Sequence, residues 1–241
     1  MISVAILTKN NETTIADTLR SVATFDEVLL LDTGSSDTTL QIASSFANTR
    51  IMKTDFTGFG QLRNLAASYA KNDWILALDS DEKLSMGLQK ELKELVPIKE
   101  KVYRLPFHNY YNGRHIKWCG WHPEWHIRLY NRKTTSFDSA LVHEGIKTEN
   151  LNIQTLKHPV IHTPYRSAED FLRKMQIYSS LFACQNNEMK TTFSKAFTHG
   201  LFAFVKSYFL KRGFLGGKEG FIISVYNGNT VFYKYLKLLE K

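Results

Sequence analysis

Two aspartates directly after an apolar segment are the clearest sign of chemistry in this sequence. Residues 74–78 are apolar, and Asp79, Ser80 and Asp81 follow at once. Carboxylates two residues apart at the end of a buried strand suit a hard cation, which keeps other positions for water and substrate phosphates. The sequence predicts an Mg²⁺ or Mn²⁺ site, with Asp81 as direct ligand and Asp79 reaching a ribose or water. A solvated turn that caps the next helix is the alternative.

The segments around these aspartates alternate between strands and helices. Apolar residues recur at helical spacing between short apolar runs. This alternation predicts an α/β fold with a mostly parallel sheet and helices on both faces, and ligands of such sheets bind at the carboxyl ends of the strands. The expected strands are residues 2–7, 28–31, 50–52 and 74–78.

Polar residues after the first two strands are suited to a nucleotide. Thr8 ends the first strand, and Asn10 and Glu12 belong to a polar loop that can receive a nucleobase. Asp32 ends the second strand, and its carboxylate can accept hydrogen bonds from a uracil imide or a ribose hydroxyl. Arg63 lies on a predicted helix and can pair with a phosphate through its planar guanidinium. An exposed helix charge is the other interpretation of Arg63.

The second half of the chain changes in composition. Residues 102–160 are rich in Tyr, Trp, His and β-forming residues, which predicts strands and loops on the edge of the sheet. After Ser167 the apolar spacing becomes helical. The sequence therefore predicts an α/β domain at residues 1–165 and a helical region at residues 166–241.

Charge and cysteine content limit the class of protein. The formal net charge is +8 and the pI is about 9.3, so anionic partners are favoured. The two cysteines, Cys119 and Cys184, lie far apart and favour neither a disulfide framework nor a zinc site. No apolar run approaches the roughly 18 residues of a membrane-spanning helix. We expect a cytoplasmic protein that is soluble or bound to the inner membrane surface.

The C-terminal region combines aromatic and basic residues. This combination is typical of a helix that lies in an anionic membrane interface. The alternative is a helix that packs on the core or forms a dimer interface. The residues concerned are Phe202, Phe204, Tyr208, Phe209, Lys211 and Arg212.

Six short motifs spread over nearly the whole chain form a specific combination. They are residues 5–10, 31–38, 59–64, 79–82, 120–124 with 128–130, and 142–144. Together they resemble family 2 glycosyltransferases with the GT-A fold, in particular the bacterial lipopolysaccharide-core β-1,4-glucosyltransferases. Two positions depart from the pattern. Asn11 looks inserted before Glu12, and Glu124 stands where an aspartate is more usual.

The resemblance implies a metal-dependent, inverting sugar transfer. The donor is expected to be a UDP-sugar, with glucose the implied sugar, and the cofactor Mg²⁺ or Mn²⁺. The acceptor is expected to be a lipid-linked or lipopolysaccharide-core glycan, or another cell-surface glycan, met at an anionic membrane surface. No nucleic-acid partner is expected.

The resemblance also implies roles for carboxylates and a histidine in the second half. A general base must take the proton of the acceptor hydroxyl, and the candidates are Glu144, Glu124 and Asp138. Glu144 is favoured because it follows the acceptor-side segment, although a surface carboxylate is the alternative. His162 is expected as a further metal ligand, and a packed or capping histidine is the other interpretation.

Four further residues are expected to contact the acceptor. Trp118, Trp121 and Trp125 offer flat faces that suit the C–H surfaces of a sugar, and Arg128 lies in the motif that follows them. Core packing is the alternative for each tryptophan.

Other functional classes fit less well. The Asp32-Thr33-Gly34-Ser35 segment matches an aspartic-protease loop. That chemistry needs two such aspartates that share a proton, and the sequence contains no second copy of the segment. A dehydrogenase is disfavoured because no glycine-rich fingerprint follows the first strand, and the spacing of His122 and His126 around Pro123 does not fit a zinc protease. A non-catalytic nucleotide- or nucleic-acid-binding protein stays open as the alternative.

Overall fold

The computed structural model describes residues 1–138 and 144–240, and the chain folds as two compact units. The first unit contains residues 1–107 and the described part of 124–162, and the second contains residues 108–123 and the described part of 163–241. A short internal segment is thus grouped with the C-terminal residues. The division at residue 165 that the sequence suggested stays a prediction.

Four parallel strands form one half of the sheet in the first unit. They occur in the order β3-β2-β1-β4, so β1 lies between β2 and β4, and β3 lies beyond β2. All four lie where the apolar runs predicted them, within one residue at each end. Their bounds are β1 Ile2–Thr8, β2 Glu27–Asp32, β3 Thr49–Lys53 and β4 Trp74–Asp79.

The middle of the chain extends this sheet. Strand bounds are β5 Glu82–Leu84, β6 Lys101–Tyr111, β7 Arg114–His115, β8 Glu124–Asn131, β9 Asn152–Thr155 and β10 Val160–His162. β8 pairs antiparallel with both β4 and β6, β9 pairs parallel with β6, and β10 pairs antiparallel with β5. The α/β fold predicted from the alternation is confirmed, with antiparallel strands added beside β4.

Helices cover both faces of the parallel strands. Strand β1 is apolar on both faces. Val4 and Ile6 pack in one apolar cluster, and Ala5 and Leu7 pack in another. A strand whose two faces are both apolar needs cover on each side. α1, α2 and α4 contribute to the first cluster and α3 to the second. The bounds are α1 Ile15–Ser21, α2 Thr39–Ser44, α3 Phe59–Tyr69 and α4 Met86–Glu94.

The second unit is mainly helical. Ser167 and Thr192 each cap a helix, accepting a hydrogen bond from the backbone N–H three residues later. A π-helical turn at Lys206–Leu210 and a 3₁₀ turn at Gly213–Gly216 connect the last two long helices. None of the helices in the described ranges is both long and apolar enough to span a bilayer. The bounds are α5 Ala168–Gln185, α6 Phe193–Val205 and α7 Gly217–Leu239.

Candidate functional site

Three of the predicted site residues lie together at the carboxyl end of the parallel strands. Thr8, Asp32 and Asp79 are the last residues of β1, β2 and β4. Thr8 is paired in register with Asp32, and Leu7 of the same strand is paired with Asp79. The structure therefore places these side chains on three neighbouring strands at one edge of the sheet, which is where ligands of open α/β sheets bind.

The loops that follow β1 and β2 are joined by hydrogen bonds. The Asn10 backbone N–H donates to Ser35 Oγ at 2.9 Å, and the Ser36 N–H donates to Asn10 Oδ1 at 2.8 Å. Glu12 Oε2 accepts from both the N–H and the hydroxyl of Thr38, at 3.1 and 2.7 Å. Asn10 and Glu12 thus hold the two loops in one conformation, and their contact with a nucleotide stays a prediction.

Asp32 organises the second of these loops. Its carboxylate is almost fully buried and accepts hydrogen bonds from the backbone N–H groups of Gly34 and Ser35, both at 3.1 Å. Gly34 has φ +98°, a conformation that residues with a Cβ rarely adopt. Part of the hydrogen-bonding capacity of Asp32 is therefore used within its own loop, and its predicted contact with uracil or ribose would share the same carboxylate.

Arg63 lies inside the site. Its side chain is only 4% exposed, so it is not an exposed helix charge. Nη2 donates to Asp79 Oδ1 at 2.9 Å and Nε donates to Glu144 Oε1 at 2.7 Å. Burial alone would lower the pKa of Arg63, but the two carboxylates raise it above its ordinary value. Arg63 links a strand-end aspartate to the favoured general-base candidate, and its predicted pairing with a phosphate stays untested.

A second buried arginine contacts the other side of Asp79. Arg128 Nη2 lies 3.3 Å from Asp79 Oδ2 and 2.7 Å from Glu82 Oε1, and its guanidinium lies over the Phe107 ring. The Asp79 backbone N–H also donates to Glu82 Oε2 at 2.9 Å. Arg128 is thus held among carboxylates, whereas the sequence assigned it to the acceptor, an assignment that stays a prediction.

The charges of this network fix the protonation of Asp79. Burial would raise the pKa of its carboxyl, but Arg63 and Arg128 more than offset that effect and hold the pKa well below its usual range. For Glu82 the balance is reversed, because burial raises the pKa of the carboxyl despite its contact with Arg128. Removing one partner from such a buried ionic network typically lowers the stability of a protein by about 3–5 kcal/mol. The network therefore helps to hold the strand ends of the site in place.

Asp81 and His162 form the part of the site that suits a cation. Asp81 lies in the turn between β4 and β5, and His162 ends β10, which is paired with β5 so that His162 is in register with Glu82. Asp81 Oδ2 and His162 Nε2 are 3.6 Å apart, and both side chains are partly exposed. Two atoms that each bind one cation at about 2.1 Å can be at most about 4.2 Å apart, so this pair fits.

Asp79 is held differently from the Asp81–His162 pair. Both of its carboxylate oxygens are bonded to buried arginines, whereas Asp81 and His162 face each other at the edge of the network. The sequence predicts Asp81 as the ligand and Asp79 as the residue that reaches ribose or water. The roles themselves stay predictions.

The three candidate bases differ in their surroundings. Glu144 is 12% exposed and bonded to Arg63, and so belongs to the network. Asp138 Oδ2 accepts from the Gly145 N–H at 3.1 Å. Glu124 on β8 contacts His126 Nε2 at 2.8 Å and is more exposed. Arg63 connects Glu144 to the Asp79 network, and residues 142–143 of the Glu144 motif lie outside the described residues.

The three tryptophans do not belong to one surface of one unit. Trp118 and Trp121 pack against the apolar cluster of the second unit, where the Trp121 ring stacks on Tyr165 with centroids 5.6 Å apart. Trp125 lies on β8 of the first unit, is 45% exposed, and carries the Arg104 guanidinium over its ring. Their predicted contact with an acceptor stays a prediction, for which Trp125 has the exposed ring.

Sequence reasoning missed the part played by Glu82. It directly follows Asp81 and the sequence suggested no role for it, but it is almost fully buried and bonded to Arg128. A signal was present, since Glu82 stands two residues before the apolar Leu84 and would share its face if the segment were a strand. A charged residue at an inward position of a strand indicates a buried partner.

Comparison with known proteins identifies the family of the chain. Residues 3–151 match the family described as glycosyl transferase family 2. An uncharacterized glycosyltransferase of Rickettsia typhi is 30% identical, over 99% of this chain and 87% of the relative. The lipopolysaccharide core biosynthesis glycosyltransferase LpsC of Rhizobium meliloti is 24% identical, over 100% of this chain and 92% of LpsC.

Solved structures support the same fold. Residues 1–349 of Staphylococcus aureus TarS, in complex with UDP-GlcNAc, superpose with a TM-score of 0.51 at 19% identity, over 89% of this chain and 72% of that chain. The mannosyltransferase PcManGT of Pyrobaculum calidifontis, in complex with GDP-Man and Mn²⁺, gives a TM-score of 0.53 at 12% identity, over 79% and 65% of the two chains. The structural similarity shows the fold, and the sequence matches show that the chain belongs to glycosyl transferase family 2.

Proposed function

We propose that this protein is an inverting glycosyltransferase that moves a sugar, most simply glucose, from a UDP-sugar to a lipopolysaccharide-core or other cell-surface glycan. The observation that carries the proposal is the Asp81–His162 pair, 3.6 Å apart beside the buried Asp79 network at the carboxyl end of the sheet. This arrangement offers one position for a cation and leaves the strand ends for a nucleotide.

The donor proposal rests on the loops after β1 and β2 and on the solved relatives. Hydrogen bonds hold Asn10 and Glu12 against the second loop, so the rim of the site is ordered before a ligand arrives. TarS was crystallised with UDP-GlcNAc, and this supports a uridine nucleotide as the carrier. We propose that Asp32 and Asp79 contact the nucleoside, Asp79 at the ribose.

The cation proposal rests on donor chemistry. We propose that Asp81 and His162 bind Mn²⁺ or Mg²⁺, and the imidazole nitrogen favours Mn²⁺, since Mg²⁺ prefers oxygen ligands. When bound, such an ion neutralises charge on the leaving diphosphate, which can lower the barrier by several kcal/mol. The Mn²⁺ in the PcManGT structure agrees with this class of ion.

The proposed chemistry is a single displacement at the anomeric carbon. Glu144 takes the proton from the acceptor hydroxyl, the hydroxyl oxygen forms a bond to the anomeric carbon, and the bond to the diphosphate oxygen breaks. Arg63 supports this role by holding Glu144 Oε1 at 2.7 Å while its own position is fixed by Asp79. Configuration inverts because one displacement occurs.

Binding of UDP should depend on the cation. We expect isothermal titration with UDP to give a measurable Kd in the presence of Mn²⁺ and a Kd at least about 10-fold weaker after removal of divalent ions with a chelator, since the diphosphate would otherwise face Asp81 directly. Incubating the full chain with a panel of nucleotide sugars and measuring released nucleoside diphosphate would then identify the donor.

A basic-patch binder gives the opposite result. It would bind UDP equally with or without Mn²⁺ and release no nucleoside diphosphate from any sugar donor. That outcome would favour the non-catalytic alternative. The panel identifies the donor sugar, whereas the cation dependence distinguishes a glycosyltransferase from a non-catalytic nucleotide-binding protein.

We also propose that the second unit contacts an anionic membrane surface. Large apolar side chains at the start of α6 and around the two short turns are about half exposed or more. Soluble proteins rarely expose many such groups close together in sequence without a partner. Lys206, Lys211, Arg212 and Lys218 are interspersed and also exposed. The apolar residues are Phe193, Phe197, Leu201, Phe202, Phe209, Leu210, Phe214 and Leu215.

Vesicle flotation tests this contact. We expect the protein to float with anionic phospholipid vesicles at low salt and to be released by salt. Reversing two charges, Lys211→Glu with Arg212→Glu, should weaken binding by about 30-fold or more, since each basic residue near the surface contributes about 1 kcal/mol. The control is Lys83→Glu with Lys53→Glu in the first unit. Equal binding of both double variants, or no flotation of the unaltered protein, would contradict the membrane contact.

A further inference from the structure

Three histidines of the second unit lie together, outside the site described above. His108 is on β6, His115 is on β7, and His122 is in the loop that follows. One potential ligand atom of each lies within 4.8 Å of those of the other two. Among the described residues this is the one group of three or more His, Cys, Asp or Glu side chains that meets this distance.

A tight hairpin brings the first two histidines together. Asn112 and Gly113 form its turn, with φ values of +50° and +72°, and an Asn-Gly pair with two positive φ angles is typical of a two-residue hairpin. His115 is directly opposite Tyr110 in the register of the two strands. His108 precedes Tyr110 by two residues, so its side chain projects from the same face of the strand.

Backbone contacts return the following loop to the hairpin. The Ile116 N–H donates to the Asn109 carbonyl at 2.8 Å, and the Asn109 side-chain amide donates to the Trp121 carbonyl at 3.2 Å. Trp121 directly precedes His122, so this bond places the third histidine. Hydrogen bonds of the hairpin therefore position His108 and His115, and the bond to the Trp121 carbonyl positions His122.

The rings make close contact with one another. The His108 and His115 rings are stacked with centroids 4.2 Å apart, and the His122 ring stands at right angles to His115 at 5.2 Å. His115 Nε2 is buried and has no hydrogen-bond partner among the described residues. A buried ring nitrogen without a partner is costly unless something else binds it.

The surroundings of two of the three rings favour the neutral form. Burial, together with the neighbouring His108 and His122, lowers the pKa of His115 to about 4, and burial also lowers the pKa of His108. Both rings are therefore neutral near pH 7. Neutral imidazole is the form that coordinates a metal ion.

We propose that His108, His115 and His122 bind a Zn²⁺ ion through three imidazole nitrogens. A tetrahedral ion with Zn–N distances of about 2.0–2.1 Å sets its ligands about 3.4 Å apart, so the nitrogens need to approach by at most about 1.4 Å from their 4.8 Å limit. Small side-chain rotations supply such a movement. Imidazole nitrogens favour Zn²⁺ over the oxygen-preferring Mg²⁺.

Three protein ligands leave a fourth position for water or an anion. Lys117 lies near enough to His108 and His115 to affect the pKa of both, so it adds positive charge beside the ion. This charge favours an anionic fourth ligand, such as phosphate, over neutral water. The site is distinct from the Asp81–His162 pair in donor type and does not depend on the proposed sugar transfer.

Metal analysis of the untagged full chain tests the proposal. The protein is stripped with a chelator, titrated with Zn²⁺ in a calorimeter, and also titrated with Co²⁺ to record the visible absorption of a tetrahedral ion. To remove the other cation site from the measurement, both titrations use the His162→Ala background. We expect one equivalent of Zn²⁺ and an intense tetrahedral Co²⁺ spectrum.

Substitutions in the cluster should abolish this signal. His115→Ala and His122→Ala should each weaken Zn²⁺ binding at least about 10-fold and remove the Co²⁺ absorption, since even indirect support of a metal ligand is worth 10–100-fold. The matched control is His199→Ala, an exposed histidine of α6 in the same unit. Circular dichroism checks folding, and His122→Ala, which changes a loop residue, decides the matter if His115→Ala does not fold.

Two results would overturn the proposal. One is that the stripped protein with His162→Ala takes up no Zn²⁺. The other is that folded His122→Ala binds Zn²⁺ as tightly as the His199→Ala control. Adding inorganic phosphate to the Co²⁺ form addresses the fourth position, where a changed spectrum supports an anionic ligand and an unchanged one refutes it.

Discussion

Asp81→Asn is expected to lower the rate of sugar transfer by about 10³-fold. The amide keeps the size of the side chain but has no charge, so it binds a divalent ion far more weakly than a carboxylate does. Loss of about 4 kcal/mol of stabilisation of the leaving diphosphate corresponds to a rate reduction of that order. The measurement is kcat/KM at a fixed Mn²⁺ concentration that just saturates the unaltered protein, combined with the Kd of Mn²⁺ for the free protein.

The control for this substitution is Asp73→Asn. Asp73 directly precedes β4, at the opposite end of the strand from Asp79, and is paired with Lys133 at 2.9 Å. We expect this variant to transfer sugar and bind Mn²⁺ like the unaltered protein. Normal transfer by Asp81→Asn would remove the cation from the proposed chemistry, whereas normal Mn²⁺ binding with lost transfer would move the ligand role elsewhere.

Glu144→Gln is expected to lower kcat by about 10²–10⁴-fold while leaving the Kd of UDP close to normal. A general base contributes a factor of this size, and glutamine cannot accept the proton of the acceptor hydroxyl. Glutamine does retain an oxygen that can accept a hydrogen bond from Arg63 Nε, so the contact now seen at 2.7 Å can persist and the fold is preserved. Kinetics and UDP titration on the same preparation separate the two effects.

Parallel substitutions decide between the candidate bases. Glu124→Gln and Asp138→Asn should retain most of their activity if Glu144 is the base, and Glu149→Gln, an exposed residue nearby in sequence, serves as the control. Intact turnover in Glu144→Gln together with collapse in one of the other two would reassign the role. Loss of UDP binding in Glu144→Gln would instead indicate that the carboxylate supports the donor site.

The parallel half of the fold was predictable because its signals are local. The strands are short continuous apolar runs, and the sequence places the polar residues directly after them. The end of an apolar run marks the end of a strand, so Thr8, Asp32 and Asp79 could be placed at one edge before any coordinates were known. The family motifs then added a chemical class that apolar spacing alone does not contain.

The partners of the charged residues were not predictable in the same way. Arg63 and Asp79 are 16 residues apart, and Arg63 and Glu144 are 81 apart. Which charges meet depends on how strands and helices pack, and no local pattern records such a pairing. The same holds for the histidine cluster, because His108, His115 and His122 have no spacing typical of a metal site and become neighbours only through the hairpin and the returning loop.

The sequence by itself determined the order of the first four strands and the helices between them, the strand ends that carry Thr8, Asp32 and Asp79, and the family. These depend on periodicity and short motifs, which neighbouring residues specify. Only the tertiary structure decided that Arg63 and Arg128 are buried on either side of Asp79, and that His162 lies 3.6 Å from Asp81. Burial and long-range pairing set the charge and exposure of a side chain, and both arise only when distant segments pack together.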